Sequence, residues 1–439
     1  MPEIRRERPA LCKIEIHEGA RPQITFAFSP EPEEPVKPVV IGDARMLRDA
    51  WQRAADALTV LGRDTPASGA DPADLWKPLR GLLAAGRELG QRLADQRSQD
   101  WTRVQRAFTR ALATRGQAGF RWNDIPVIDV VAHDDGYPVE LLPAFLPPTG
   151  QRKDGIDNDL DLMRVAERFI GFSAVVRRYA PERQLGDATL PNDPTLPIQL
   201  FRYRELTFRG TVPEVGPGAG FAAEEAFLST SRHVTVDGPW PIDQTEDEVR
   251  RAAVSALYDA RRRLTDRVFP YPAAAVAHFA CHCTAGSDIT EFEVLLSTAD
   301  GDPRPLTYLN LNDGYGDNDE DERDDDPQRA AVIFNACGSS VIDARSALSF
   351  QRWFLRNDHP VFLGTHAKIP DPVAADFAKL LYGFLLGGFT FGEAVVLTRR
   401  QLLAVSKNPL GILYMLYGND RLRVEVERPD ALPKDFRRG

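Results

Sequence analysis

The chain has 439 residues, 43% of them hydrophobic and 27% charged, which is enough to bury at least one large core and leaves room for two domains. Its formal net charge is −10, of which a single acidic run, residues 316–326, carries −7, and nothing in it suggests the clustered Lys and Arg of a nucleic-acid surface. No stretch approaches the roughly 20 apolar residues of a spanning helix, and four cysteines are too few for a disulfide framework.

The first segment, "MPEIRRERPALCKIEIHEG", has charge but no apolar leader, so the sequence predicts a cytoplasmic protein with free thiols and no membrane contact. Heavy Arg, Ala, Asp and Pro usage with only 4 Met points to a GC-rich bacterial source. "KIEIHEGARPQITFAFSP" (13–30) alternates around a turn and predicts a β-hairpin, followed by the Pro/Glu linker "PEPEEPVKP". Residues 43–115 have helical spacing, as in Leu47, Trp51, Ala54, Ala55 and Leu58, interrupted by the loop "GRDTPASGADP". "IPVIDVVAHDDGYPVELLPAF" (125–145) opens as an apolar strand and ends in a turn. "GFAAEEAFLST" (220–230) and "TEDEVRRAAVSALYDARRRL" (245–264) are predicted helices.

From residue 273 the rhythm becomes strand and helix. "AAAVAHFACH", "EVLLST", "AAVIFNAC" and "PVFLGT" are continuous apolar runs, the pattern of strands covered on both faces. "SALSFQRWFLR", "DPVAADFAKLLYGFLLGG" and "FGEAVVLTRRQLLAVS" are helical, with Asp371 and Pro372 read as cap and first position. The class is α/β with a mostly parallel sheet flanked by helices.

Two stretches carry chemistry. In "AAAVAHFACHCTAG" (273–286), strand alternation puts His278 and His282 on one face and Cys281 and Cys283 on the other. Such divergent side chains do not make a zinc site, and no second ligand cluster completes one, so no metal is expected. In "RAAVIFNACGSSVIDARS" (329–346), a buried strand ends at Asn335, Ala336 and Cys337. Both His282 and Cys337 therefore fall at carboxyl ends of strands, the edge where open α/β sheets place their sites. A thiolate attacks a carbonyl, an imidazole protonates the leaving amine, and backbone N–H groups hold the oxyanion. The N–H groups of Cys283 and Cys337 are the candidates for that hole, with Gly338 keeping the turn open. Against this, a cysteine ending an apolar strand is commonly core. Cys281, Cys12 and His278 are read that way.

The motifs "HFACH", "NACGSS", "PVFLGTHAKIPDPVAADFAKLLYGFLLGGFTFGEAVVLTRRQLL" and "ILYMLYGND" resemble the CHAT domain, a family of caspase-like cysteine peptidases related to separases, metacaspases and gingipains. The resemblance is strong over about 270–420 and weaker over "IDVVAHDDGYPVELLPAF" and "FAAEEAFL". It implies a caspase-like fold and a His282–Cys337 dyad. Caspases carry their histidine about 50 residues before the cysteine, and here the separation is 55. The chain is accordingly divided into a hairpin and linker over 1–40, a helical and α/β half over 41–265, and a catalytic half over 266–430. Relatives often pair an inactive caspase-like half with an active one, and 41–265 is a candidate for such a pseudo-protease half. Relatives have Gly after the histidine where this chain has Cys283.

The resemblance also implies a pocket for the side chain before the cut. Metacaspase-like members have an acidic residue two before the cysteine; here it is Asn335. Asp371 is the next candidate substrate contact and would favour Arg or Lys, or it is a helix cap. Arg345, eight residues after the cysteine, is read as solvent-facing, so a preference for Asp is disfavoured. The loop "DGYGDNDEDERDDDPQ" (313–328) reads as a solvated surface run, a calcium site, or a flap. It fails the EF-hand template, because from Asp317 position 6 is Glu322 and position 12 is Gln328. No long acidic linker follows Cys337, which predicts activity without a cut between 338 and 360. The implied partners are a protein substrate, in the family's settings a gasdermin or CRISPR-linked target, and an activating partner. A non-catalytic CHAT scaffold or sensor is the competing class.

Overall fold

The computed structural model describes residues 9–17, 23–29, 36, 39–40, 44–66, 71, 73–94, 98–114, 124–132, 138–146, 156–179, 189–190, 196–202, 219–240, 275–284, 293–297, 303–307, 309–313, 329–335, 351, 353–357, 359–367 and 369–424. Two compact units emerge, one of Met1–Thr65, Gly69–Leu185 and Val395–Ile412, the other of Pro66–Ser68, Gly186–Ala394 and Leu413–Gly439.

In the first unit the predicted hairpin forms. Strands β1 (Cys12–His17) and β2 (Gln23–Phe28) pair antiparallel, with Cys12, Ile14 and Ile16 facing inward as period-two alternation requires. The sheet runs β3 (Val39–Val40), β2, β1, β4 (Val127–Ala132), β5 (Val175–Tyr179), and the last three strands are parallel. Helices α1 (Ala44–Asp64), α2 (Trp76–Leu93) and α3 (Ser98–Thr114) fill the 43–115 region. Helix α1 buries Trp51, Ala54, Leu58 and Leu61 on one stripe and continues through Gly62–Asp64, into the predicted loop. Phe108 of α3 meets Phe28 of β2 edge to face at 4.9 Å. Helix α4 (Asp159–Ala166) is capped by Asn158, whose side chain accepts from the Asp161 N–H at 3.0 Å, and a single turn, α5 (Ile170–Ser173), leads into β5.

The "PVELLP" turn is a 3-10 turn at Val139–Leu141 locked from several sides. Gln105 of α3 donates to the Pro143 carbonyl at 2.5 Å. Glu140 takes a bidentate pair of bonds from Arg178 of β5, at 2.8 and 2.6 Å, with both side chains buried. Gly86 of α2 lies against the Leu141 carbonyl oxygen, where a Cβ would collide with backbone rather than with a side chain that can turn away. Gly86→Ala is therefore expected to cost about 1–3 kcal/mol, read as a lower urea midpoint with an unchanged slope.

In the second unit the main sheet has the order β15 (Tyr414–Gly418), β14 (Val361–Thr365), β13 (Ala331–Phe334), β9 (Val276–Ala280), β7 (Leu196–Arg202), β8 (Val234–Trp240). All its pairs are parallel except β14 with β15. Strands β9, β13 and β14 are buried at every residue, which is why they read as unbroken apolar runs. A two-stranded ladder joins β6 (Thr189–Leu190) to β16 (Arg423–Val424). Helices α6 (Ala219–Thr230), α7 (Asp371–Leu386) and α8 (Phe391–Ser406) match predicted helices, α8 opening in this unit. Its capping box, Thr390 with Glu393, exchanges bonds of 3.1 and 3.2 Å. Residues 353–356 are helical within the predicted 346–356 segment. The helix predicted at 245–264 lies outside the described residues.

This is a mixed α/β architecture with mostly parallel sheets flanked by helices, as a caspase-like fold requires. Two local expectations are corrected. The run "AHFACHCT" is not one strand: β9 stops at Ala280, Cys281 is a bend, and β10 (His282–Thr284) belongs to a separate antiparallel sheet, β10–β11–β12. Its partners are β11 (Glu293–Ser297) and β12 (Pro303–Thr307), so "EVLLST" is not part of the main sheet. Alternation therefore does not carry across from His278 to His282. The second correction is at α7. The cap is Pro370, which has no side-chain acceptor, and Asp371 is the first helical residue, where its charge favours the helix dipole.

Candidate functional site

Strands β9 and β13 are adjacent and parallel, with His278 opposite Ile333 and Phe279 opposite Phe334. Paired residues share a face. On one face Phe279 stacks on Phe334 at 4.6 Å, and Phe334 meets Phe354 at 5.8 Å and Phe362 at 5.4 Å. The other face is polar at one spot. There His278 and, just past the end of β13, Asn335 turn toward α6 and α7.

At that spot lies a buried network. Glu224 of α6 is 1% exposed, Asn335 1%, and His278, Tyr382 and Tyr414 are fully buried. Asn335 Nδ2 donates to both oxygens of Glu224 and to the Ala374 carbonyl of α7, each at 3.0 Å. Asn335 Oδ1 accepts a short bond from the Tyr414 hydroxyl, and the Tyr414 ring stacks on Phe377 of α7. His278 Nε2 lies 2.5 Å from Glu224 Oε1, a close contact that is not an aligned hydrogen bond. Its Nδ1 lies 3.0 Å from the Tyr382 hydroxyl. Burial, and then the Glu224 carboxylate, push the Tyr382 hydroxyl well above its usual range, so Tyr382 keeps its proton.

The predicted site residues fall as follows. His282 opens β10, opposite Leu295 of β11, directly after the bend that ends β9. Cys283 is the middle residue of β10, opposite Val294. Among the described residues the one non-glycine with positive φ is Lys407, so the backbone at 283 is of a kind any side chain adopts. Asn335 is buried with its amide engaged as above. Asp371 is half-buried at the start of α7. Cys337 and Gly338 lie outside the described residues, as does the acidic loop after Asp313. Cys281 and Cys12 are buried and form no disulfide, and His278 is a core histidine with a polar group against each ring nitrogen. Among the described residues no three His, Cys, Asp or Glu side chains are grouped to hold a metal, and no helix is long and apolar enough to cross a membrane.

Glu224, Tyr382 and Tyr414 carry no role in the sequence reading. For Glu224 a signal exists: in "GFAAEEAFLST" it stands one turn before Leu228 on the same helix face, and both are buried. A carboxylate on an apolar stripe has to have a partner.

A family model, that of the CHAT domain, matches residues 238–421. No curated protein matches the chain.

Proposed function

Because the chain carries a CHAT domain over residues 238–421, a member of the caspase-like peptidase superfamily, we propose that it is a cysteine endopeptidase cutting a specific protein partner through Cys337 and His282. The observation that supports this most is the adjacency of β9 and β13. The chain leaves both strands at the same edge of a parallel sheet, one toward His282 and the other toward Cys337. In the reaction His282 takes the thiol proton, the sulfur of Cys337 attacks the scissile carbonyl carbon, and the imidazolium returns the proton to the leaving amine. Water then hydrolyses the thioester. Main-chain N–H groups of Cys283, Cys337 and Gly338 hold the oxyanion.

By family resemblance the setting is bacterial antiphage defence or programmed cell death in the cytoplasm, with a gasdermin or CRISPR-linked substrate and an activating partner. Asp371 would select Arg or Lys before the cut. A second reading, an inactive scaffold or sensor, is favoured by one departure, Cys283 in place of the relatives' glycine.

The test is cleavage of a peptide library by wild type and Cys337→Ala, with and without Ca²⁺. Wild type is expected to cut, and the variant to lose at least about 1000-fold. Equal cleavage by both proteins rejects Cys337 as nucleophile. Silence from both, with the chain folded and its genomic neighbours added, favours the scaffold.

A further inference from the structure

Glu224 contacts groups on both strands that lead into the proposed dyad. Its Oε1 meets His278 of β9, four residues before His282, and both its oxygens accept from Asn335, two residues before Cys337. We propose that Glu224 is a positioning residue. It ties β9 at His278 to Asn335 at the end of β13 and so fixes the strands from which the chain runs on to His282 and Cys337. The proposal rests on the dyad reading above.

The physical case begins with what the buried polar set is for. A well-packed apolar cluster of similar volume would stabilise this core at least as well, since desolvating Glu224 and its partners offsets what they gain. Hydrogen bonds supply direction instead. They fix the rotation and the height of the group that makes them, where dispersion contacts tolerate sliding. Asn335 is fixed from three elements at once, through Glu224 on α6, the Ala374 carbonyl on α7 and Tyr414 on β15. Its backbone is therefore held at the point where β13 ends. The His278 ring is bonded at Nδ1 to the Tyr382 hydroxyl of α7 and packs at Nε2 against Glu224.

A carboxylate suits the central place because it only accepts: Asn335 donates to both of its oxygens, and His278 Nε2 lies against one of them. An amide at 224 would keep the shape but turn an NH₂ group toward one strand. The bend at Cys281 makes the arrangement necessary. His282 opens a second sheet, so the main-sheet ladder does not set its position beyond Ala280. A displacement of about 1 Å at the start of such a segment is enough to cost up to about 100-fold in reactivity.

The experiment needs no substrate. Iodoacetamide alkylation of each cysteine is followed by mass spectrometry on the full chain near neutral pH. The proteins are wild type, His282→Ala, Glu224→Gln, Tyr414→Phe and the double variant Glu224→Gln/His282→Ala. Glu224→Gln is expected to slow Cys337 by about 10- to 100-fold, and Tyr414→Phe by less. Cys12 and Cys281 should stay as protected as in wild type. The double variant should be no slower than His282→Ala alone, because a positioning residue acts through the histidine it positions. If Cys281 becomes reactive in Glu224→Gln, that variant has loosened the core, and Tyr414→Phe decides. Unchanged Cys337 rates in Glu224→Gln and Tyr414→Phe, or an additive double variant, overturn the proposal while leaving the dyad intact. An unchanged rate in His282→Ala overturns the dyad itself, and the positioning role falls with it.

Discussion

Asn335→Leu is expected to destabilise the second unit by at least about 1–3 kcal/mol, the cost of leaving buried polar groups unsatisfied. The substitution keeps roughly the side chain's size and removes every polar contact it makes. The Glu224 carboxylate loses two bonds of 3.0 Å, the Ala374 carbonyl loses its bond from outside the helix, and the Tyr414 hydroxyl loses its acceptor, all without access to water. Each neutral group stranded in this way costs about 1–3 kcal/mol, and charged groups cost more. Tyr414→Phe gives the scale, since it strands a single acceptor and should cost about 1–2 kcal/mol. Native-state hydrogen exchange of the β9 and β13 amides reads this unit separately. A loss under about 1 kcal/mol in Asn335→Leu would mean that the network carries little of the unit's stability.

The second large effect belongs to the first unit. Burial works against the charge of Glu140, but the field and hydrogen bonds of Arg178, with a further contribution from Arg399, outweigh it and hold the carboxyl below its usual range. In the unfolded chain Glu140 takes its proton at an ordinary value, about 4.3. The unfolded state thus binds more protons in the mildly acidic range, and stability rises with pH there. The contribution is complete above the ordinary carboxylate range and is lost as pH falls from there through the folded-state value. Glu140→Gln should therefore be least stable relative to wild type near neutrality, and the two should converge on acidification. Arg178→Met leaves Glu140 buried without its bidentate partner and should cost about 3–5 kcal/mol at neutral pH. Urea unfolding at a series of pH values, read by exchange of β4 and β5 amides, checks both. A difference between wild type and Glu140→Gln that does not shrink with acid would contradict the linkage.

Much of the second unit was legible from composition alone. "AAVIFN" and "PVFLGT" are strands buried on both faces, and no other element type accommodates short β-branched and aromatic runs between turn residues so readily. The helices at 371–386 and 391–406 carry Asp371, Pro372 and the Thr390–Glu393 box at their starts. Less was legible at the site. The bend at Cys281 leaves no mark, because periodicity reports faces and not breaks in hydrogen bonding. Asn335 drew attention as a neutral residue near a candidate nucleophile, yet its meaning lies in partners 111 residues earlier and 79 later. Glu224 sat in a segment recognised as a helix, and a helix assignment does not say which charge turns inward.

The strand order has a further consequence, for how fast the protein reaches this state. Strand β9 lies between β7, which ends at Arg202, and β13, which begins at Ala331, and every one of these pairings is parallel. Each must close a long loop before its contacts repay the entropy, so the second unit belongs to the slow-folding topologies. During that delay the strands that become the best-buried part of the unit, "VAHFA" and "AVIF", are unpaired edges rich in apolar surface. Chaperone demand and aggregation during synthesis are thereby concentrated in the same strands that lead to His282 and Cys337.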